Sequence, residues 1–272
     1  MTTLALSRRH AAGAESARGL LFTVLGEFVL PAGGSAWTSA FIEVLARLGV
    51  EEKAARQALA RTAADGWITP SRQGRRTSWA LTADGSRLLT DGTERIYTFR
   101  GSQQDWDGSW LLVIARVPET DRSARHLLRT RLGWAGLGTP APGIWITTHT
   151  ARKDEVEQVL KQAGITDGQL FVARHTGGGS LETLITQAWD LPSIEQQYAE
   201  FLGEFAAAAA EDPLTRLIEL VHAWRRFPSA DPGLPASLLP AAWKGARAAE
   251  LFAARHEMWS ADAVAEWIRL SG

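Results

Sequence analysis

A short stretch of this sequence concentrates basic side chains whose type and spacing suit contact with an anionic polymer. Residues 53–76 hold six basic residues and one acid, Asp65, within a 272-residue chain of net charge −1. The six are Lys53, Arg56, Arg61, Arg72, Arg75 and Arg76. Both residue types neutralise phosphates, and arginine also pairs with a guanine edge through two donors. This local positive charge is the first indication that the chain binds nucleic acid.

The first element that must position these residues is a predicted helix. Apolar residues recur at helical spacing from about Glu51 to Ala64, and Gly66 ends the pattern. The predicted buried side carries Ala55, Ala58, Leu59 and Thr62. The opposite side carries Lys53, Arg56, Gln57 and Arg61, which would therefore face solvent or a bound polymer.

The second positioning element is a predicted hairpin. Residues 67–82 indicate two short strands around Gln73-Gly74, with a glycine at the tip. Alternation in the second strand predicts that Trp79 and Leu81 face inward, while Arg76 and Ser78 face the other way. The hairpin contributes Arg72, Gln73, Arg75 and Arg76 to the basic surface.

The order of the surrounding elements is typical of a winged helix-turn-helix. Helices are predicted at 20–30 and 38–48, Gly49 caps the second, and a further helix follows Thr82. The basic helix would enter the major groove of duplex DNA, and the hairpin would reach the flanking backbone or the minor groove. The predicted DNA-binding residues are Lys53, Arg56, Gln57, Arg61, Arg72, Gln73, Arg75 and Arg76.

The rest of the chain predicts two further domains, so the expected fold class is α+β. Strands at 110–117, 143–148 and 169–174 alternate with helices, for which a ferredoxin-like α/β domain is the natural small option. The remainder is mostly helical, including the alanine-rich stretch 194–210. The expected division is a flexible tail at 1–19, a winged-helix domain at 20–100, a ferredoxin-like central domain at 106–191 and a helical C-terminal domain at 192–272.

Composition excludes several kinds of site. Without cysteine there is no disulfide, thiol nucleophile or cysteine-ligated metal, and the six histidines lack metal-binding spacing. No apolar run is long enough to cross a bilayer and no signal peptide is recognisable, so we expect a cytoplasmic protein. We predict no catalytic residue, no metal and no cofactor.

Two motifs admit a different chemistry. Asp105 and Asp107 flank the start of the central strand, where paired carboxylates could hold magnesium in a nuclease, although a linker and turn before the strand is the preferred interpretation. Gly177–Ser180 precedes a helix and could cradle an anion, but it lacks the lysine of a phosphate loop and is better explained as a connector. The alternatives to a DNA-binding regulator are therefore a metal-dependent nuclease or nucleic-acid-processing enzyme, and an RNA-binding or scaffold protein.

Twelve tryptophans are many for this length, and most are expected to fill cores. In the predicted C-terminal helices, aromatic and cationic residues lie close together in the sequence. This combination would suit an aromatic acyl group on a phosphate-rich carrier. The candidate effector-binding residues are Trp224, Arg225, Trp243 and Arg255.

Several stretches in chain order resemble the PaaX-type transcriptional repressors, the family that controls phenylacetic acid catabolism in bacteria. They include LLFTVLGEFVL, the wing signature GRRTSWALT at 74–82, WDG at 106–108, LRTRLGWAGLGTPAPGIWITT at 128–148 and DPGLPASLLPAAWKGARAAELF at 231–252. Together these cover nearly the whole chain, and the wing signature combined with WDG is specific.

The resemblance implies a homodimeric regulator that binds double-stranded DNA at an inverted-repeat operator. It implies winged-helix, ferredoxin-like and helical domains, and release from DNA by an acyl-CoA thioester such as phenylacetyl-CoA. DNA-contact roles carry over to the basic helix and to the wing arginines. The resulting prediction is a cytoplasmic, DNA-binding repressor of a catabolic operon that is not an enzyme.

Overall fold

The structure of the protein is a computed structural model that describes residues 13–101, 105–117 and 120–272. Helices and two small antiparallel sheets give an α+β fold, as predicted. The described chain forms two compact units. The first unit contains the described residues up to Thr98 with Phe205–Trp224 and Leu251–Gly272, and the second contains the described residues of Phe99–Glu204 with Arg225–Glu250. The predicted division into a winged-helix, a ferredoxin-like and a helical domain is not tested by this division into two units and stays a prediction.

The elements are numbered in chain order. The helices are α1 (Gly13–Val24), α2 (Thr38–Arg47), α3 (Glu52–Ala64), α4 (Ala83–Thr98), α5 (Arg122–Trp134), α6 (Lys153–Gln162), α7 (Leu181–Ala188), α8 (Leu191–Glu204), α9 (Pro213–Trp224), α10 (Phe227–Ala230) and α11 (Gly245–Ser271). The strands are β1 (Ser35–Trp37), β2 (Ile68–Gln73), β3 (Arg76–Leu81), β4 (Ser109–Ile114), β5 (Gly138–Ala141), β6 (Ile144–Thr147) and β7 (Gln169–Arg174). Across the described ranges, no helix combines the length and the apolar character needed to span a membrane.

The first helix differs from its prediction at both ends. It begins at Gly13, inside the predicted tail, and residues 1–12 of that tail lie outside the described residues. It then passes into a π-helical turn, Leu25–Val29, and a helical turn, Leu30–Ala32. The chain turns away at Gly33, whose φ of 60° suits a residue without a side chain.

The core of the first unit draws on both ends of the sequence. Phe28 stacks on Trp267 of α11 with ring centroids 5.4 Å apart, and Phe41 of α2 meets the same indole edge-on at 5.7 Å. All three rings are buried. Because burying one such side chain contributes about 2 kcal/mol, the part of α11 from Leu251 onward is integral to this unit.

The sheet of the first unit has the order β1-β3-β2, with both pairs antiparallel. Ser78 is only 6% exposed, so the prediction that it faces outward is wrong. The reason is β1, a strand too short to give a periodic signal, which makes β3 the central strand. Ser78 is flanked by Trp37 on one side and Ser71 on the other, while Trp79 is half-buried.

The second unit contains an antiparallel sheet in the order β5-β6-β4-β7. Its core joins Leu111 and Val113 of β4 to Leu128 of α5 and Leu160 of α6. The single strand predicted at 143–148 is a β5–β6 hairpin. β5 was not predicted, because its residues include a glycine and a proline, which are unfavourable inside strands.

The alanine-rich stretch Ala206–Ala210 was predicted to be helical, and this prediction is wrong, because α8 ends at Glu204. Side chains of α11 bond the backbone carbonyls that a helix would need. Arg255 donates to the carbonyls of Phe205 and Ala206 at 3.1 and 2.6 Å, and Trp259 donates to Ala208 at 2.9 Å. Tertiary contacts therefore override the helix propensity of alanine.

Candidate nucleic-acid interface

Helix α3 separates an apolar side from a basic one. Ala55, Ala58, Leu59 and Thr62 are completely buried, as predicted from their spacing. The four candidates on the opposite side, Lys53, Arg56, Gln57 and Arg61, are all exposed. Burial of the small apolar side anchors the helix, and its anchoring fixes which residues project outward.

Arg56 of α3 is held by a neighbour on the same helix. Its Nη2 and Nε atoms lie 2.7 and 2.8 Å from Oε1 of Glu52, one helical turn earlier. Both side chains are more than half exposed, at 58% and 61%. A shallow depression of about 530 Å³ covers this face, lined by Glu52, Lys53, Arg56, Gln57 and Ala60. Glu52 is a site residue that the sequence analysis did not single out.

The hairpin β2–β3 exposes its four candidates, Arg72, Gln73, Arg75 and Arg76. Gly74 occupies the turn with φ of 60°, a conformation that favours glycine. The guanidinium of Arg76 lies over the ring of Trp37, 4.0 Å from its centroid. Arg75 and Arg76 are therefore distinct, because one sits in the turn and the other begins a strand beside an aromatic ring.

A groove of about 400 Å³ joins these elements, and we call it the basic groove. It brings together Arg56 of α3 with Arg75 and Arg76 of the hairpin. The other lining residues are Trp37, Thr38, Ser39, Ile42, Glu43 and Thr77. The remaining predicted contacts are exposed but do not line this groove. A surface that unites three guanidinium groups suits an anionic backbone.

Trp37, Ser39 and Glu43 were missed by the sequence analysis. Trp37 directly precedes α2, and Ser39 and Glu43 belong to it, a helix for which only the apolar packing face was predicted. The available signal was the SAWTS stretch, where a tryptophan directly precedes the first residues of a helix. Nothing in that local pattern reveals the pairing of β1 with β3, which brings Trp37 beside the hairpin.

Two of the candidate effector residues belong to the first unit and have internal contacts. Trp224 is completely buried, donates from Nε1 to the carbonyl of Ile96 at 3.1 Å and stacks on Phe252 with centroids 4.9 Å apart. Arg255 bonds the carbonyls that follow α8. These contacts give both side chains a role in holding the first unit together.

The other two candidates belong to the second unit. Trp243 is half-buried and meets Tyr198 edge-on, with ring centroids 5.7 Å apart. Burial lowers the pKa of the Arg225 guanidinium from its usual value. The assignment of all four residues to an effector stays a prediction.

Of the two acidic residues before β4, Asp105 and Asp107, the second is held by hydrogen bonds at the start of that strand. Asp107 accepts hydrogen bonds from the backbone N–H and the hydroxyl of Ser109, each at 2.9 Å. These bonds to Ser109 lower the pKa of the Asp107 carboxyl below its usual value. Arg174 of β7 lies 3.5 Å from the same carboxylate. Within the part of the chain that the structure describes, no three His, Cys, Asp or Glu side chains are grouped to hold a metal ion.

Three family models match consecutive parts of the chain. Residues 16–85 match the PaaX-like protein model, residues 103–185 match the PaaX protein central Cas2-like domain, and residues 189–268 match the PaaX-like protein C-terminal domain. The first match contains every residue of the predicted DNA-binding set. The order of the three models is that of the stretches quoted from the sequence.

A curated relative and a solved structure extend this similarity. The chain is 30% identical over 260 residues to transcriptional repressor PaaX of Escherichia coli K12, covering 89% of this chain and 81% of the relative. It also matches the fold of the uncharacterized protein Rv0674 from Mycobacterium tuberculosis, with a TM-score of 0.62 and 24% identity over 91% of this chain and 96% of the other. These similarities define the class, a transcriptional repressor. The chain belongs to the PaaX family.

Proposed function

We propose that this protein is a DNA-binding repressor of a catabolic operon, with α2 and α3 as a helix-turn-helix and β2–β3 as its wing. The observation that carries the proposal is the basic groove, where Arg56 of the helix and Arg75 and Arg76 of the wing converge. In this arrangement Arg56 and Gln57 read base edges, while the wing arginines neutralise phosphates. The repressor named among the relatives supports the same function.

The proposal includes an architecture and an assembly. We assign a ferredoxin-like arrangement to the β4–β7 sheet, whose strand order β5-β6-β4-β7 and antiparallel pairs are consistent with a split βαβ pattern. We further propose a cytoplasmic homodimer on an inverted-repeat operator, because two-fold symmetry in the protein requires two-fold symmetry in its DNA site.

The proposed signal for release is an acyl-CoA thioester, with phenylacetyl-CoA as the first compound to test. Membership of the PaaX family supports this choice, through the resemblance to regulators of phenylacetic acid catabolism. The protein has one arrangement that binds DNA and another that does not. The effector must have the higher affinity for the second arrangement, since only a differential affinity shifts the equilibrium between them.

The experiment is fluorescence-anisotropy binding at fixed salt to the DNA upstream of the protein's own gene, with a scrambled duplex as control. Tight, selective binding that phenylacetyl-CoA weakens supports both repressor and effector. Selective binding that phenylacetyl-CoA does not change supports the repressor but contradicts phenylacetyl-CoA as its effector, and other acyl-CoA thioesters are then tested. Equal affinity for an RNA of the same sequence, or metal-dependent cleavage lost in Asp107→Ala, would contradict the repressor and favour one of the alternative classes.

A further inference from the structure

The basic groove contains a connection that determines where the wing lies. Thr38 is the first residue of α2, yet its hydroxyl does not cap that helix. Instead its Oγ1 donates to the carbonyl of Thr77 in β3, at 2.8 Å. The same Oγ1 accepts a hydrogen bond from Nε1 of Trp79, at 2.9 Å. One threonine hydroxyl thus ties the start of α2 to two residues of the central strand.

The residue before Thr38 adds a second connection. Trp37 pairs with Ser78 in the β1–β3 ladder, which brings its ring beside the start of β3. The guanidinium of Arg76 lies 4.0 Å from the centre of that ring. A cation over an indole face is held electrostatically, so Trp37 restricts the directions in which Arg76 projects.

These contacts join the two halves of the proposed DNA-binding surface. Arg56 reaches the groove from α3, which is anchored in the core, whereas Arg75 and Arg76 come from a hairpin whose tip is exposed. A two-stranded ribbon on its own is only marginally stable in water. The position of its arginines relative to Arg56 therefore depends on what fastens β3 to the helices.

We propose that Trp37 and Thr38 are positioning residues for DNA binding, which hold the wing arginines in register with Arg56. We call the pair, together with Trp79, the clasp. This inference rests on the proposed function and deepens it, because it assigns DNA affinity to residues that carry no charge. By contrast, a purely structural Thr38 would affect unfolding and leave the number of phosphate contacts unchanged.

The test compares Thr38→Val with Thr38→Ser in the full-length protein. Valine keeps the shape but removes the donor and acceptor, whereas serine keeps both. The probe is a fluorescein-labelled duplex from upstream of the protein's own gene, titrated by anisotropy at several salt concentrations. We expect Thr38→Val to weaken binding roughly fivefold, the loss of about one net hydrogen bond. We also expect its log K to depend less steeply on log salt, by about one, as fewer phosphates are neutralised.

Two variants serve as controls. Thr38→Ser is expected to restore both the affinity and the salt slope of the wild type. Thr98→Val is the matched change at the end of α4. There the threonine hydroxyl donates to the backbone carbonyl of Glu94 in the same helix. This variant should change neither the DNA affinity nor the salt slope. Thermal unfolding of all variants is followed in parallel.

Wild-type affinity and slope in a folded Thr38→Val protein would overturn the clasp. If that variant unfolds early, Trp79→Phe decides, because it leaves Thr38 in place and keeps an aromatic ring at position 79, but removes the indole N–H that donates to Oγ1 of Thr38. A reduced slope in Trp79→Phe supports the clasp, and an unchanged slope overturns it. Wild-type protein that binds neither this duplex nor a scrambled one overturns the proposed function itself, an outcome distinct from failure of the clasp alone.

Discussion

Two arginines of the basic groove are held in opposite ways. Arg56 of α3 pairs with Glu52 on its own helix, and both side chains are largely exposed. Arg76 of β3 lies over Trp37, a residue 39 positions away that strand pairing brings close. The first contact follows from helical spacing alone, whereas the second exists only in the folded protein.

The difference teaches how each arginine meets DNA. An exposed ion pair contributes at most about 1 kcal/mol, so Arg56 exchanges Glu52 for a base edge at little cost. The ring of Trp37 is half-buried and aligned by the sheet, so Arg76 has a direction before DNA arrives. We therefore expect Arg56 to contribute sequence selectivity through a base contact, and Arg76 to contribute a phosphate contact that is the same on every sequence.

The largest expected effect comes from removing the selecting arginine. Arg56→Ala should cost on the order of 1–3 kcal/mol of binding to the operator and relax the preference at one base position. Binding to the operator and to single-base variants of it measures this directly. An equal loss of affinity for all duplexes would show that Arg56 contacts a phosphate, as proposed for Arg76, and would contradict the proposed difference between the two arginines.

The second-largest effect on DNA binding is expected from removing both wing arginines, Arg75 and Arg76. Arg75→Ala with Arg76→Ala should weaken binding to every duplex and lower the salt slope by about two, one for each lost phosphate contact. Arg129→Ala, an exposed arginine of the second unit, is the control and should leave the slope unchanged. A double variant with the wild-type slope but altered base preference would reverse the assigned roles.

The smallest expected effect is a gain. Glu52→Gln removes a negative charge next to Arg56 and from a surface proposed to face phosphates, so affinity for all duplexes should rise about twofold to threefold, consistent with an exposed pair. Anisotropy against operator and scrambled DNA measures it. Loss of operator preference without a gain would mean that Glu52 orients Arg56 and does not merely compete for it.

Local periodicity predicted the elements that carry the candidate site. The buried side of α3, the hairpin around Gly74 and the exposure of all eight candidate residues follow from spacing and turn chemistry. Whether those residues touch DNA stays a prediction. The family came from a resemblance of longer stretches, which the comparisons confirm.

What the sequence analysis missed depends on contacts between distant residues. The three residues of β1 carry no period, so neither Trp37 in the groove nor the covered Ser78 was foreseen. The composition of Ala206–Ala210 predicts a helix, but Arg255 and Trp259 donate hydrogen bonds to carbonyls within this stretch. Helix and strand propensities describe an isolated segment, whereas the conformation of these segments is determined by the residues that contact them in the folded protein.

The aromatic core of the first unit has a consequence for how the protein is made. Phe28 and Phe41 emerge from the ribosome early, but the indole that packs against both belongs to Trp267. During synthesis this core stays incomplete until the final helix has been translated. The proposed DNA-binding unit therefore completes its core only after the residues of the second unit, which lie between Phe41 and Trp267 in the sequence, have been translated.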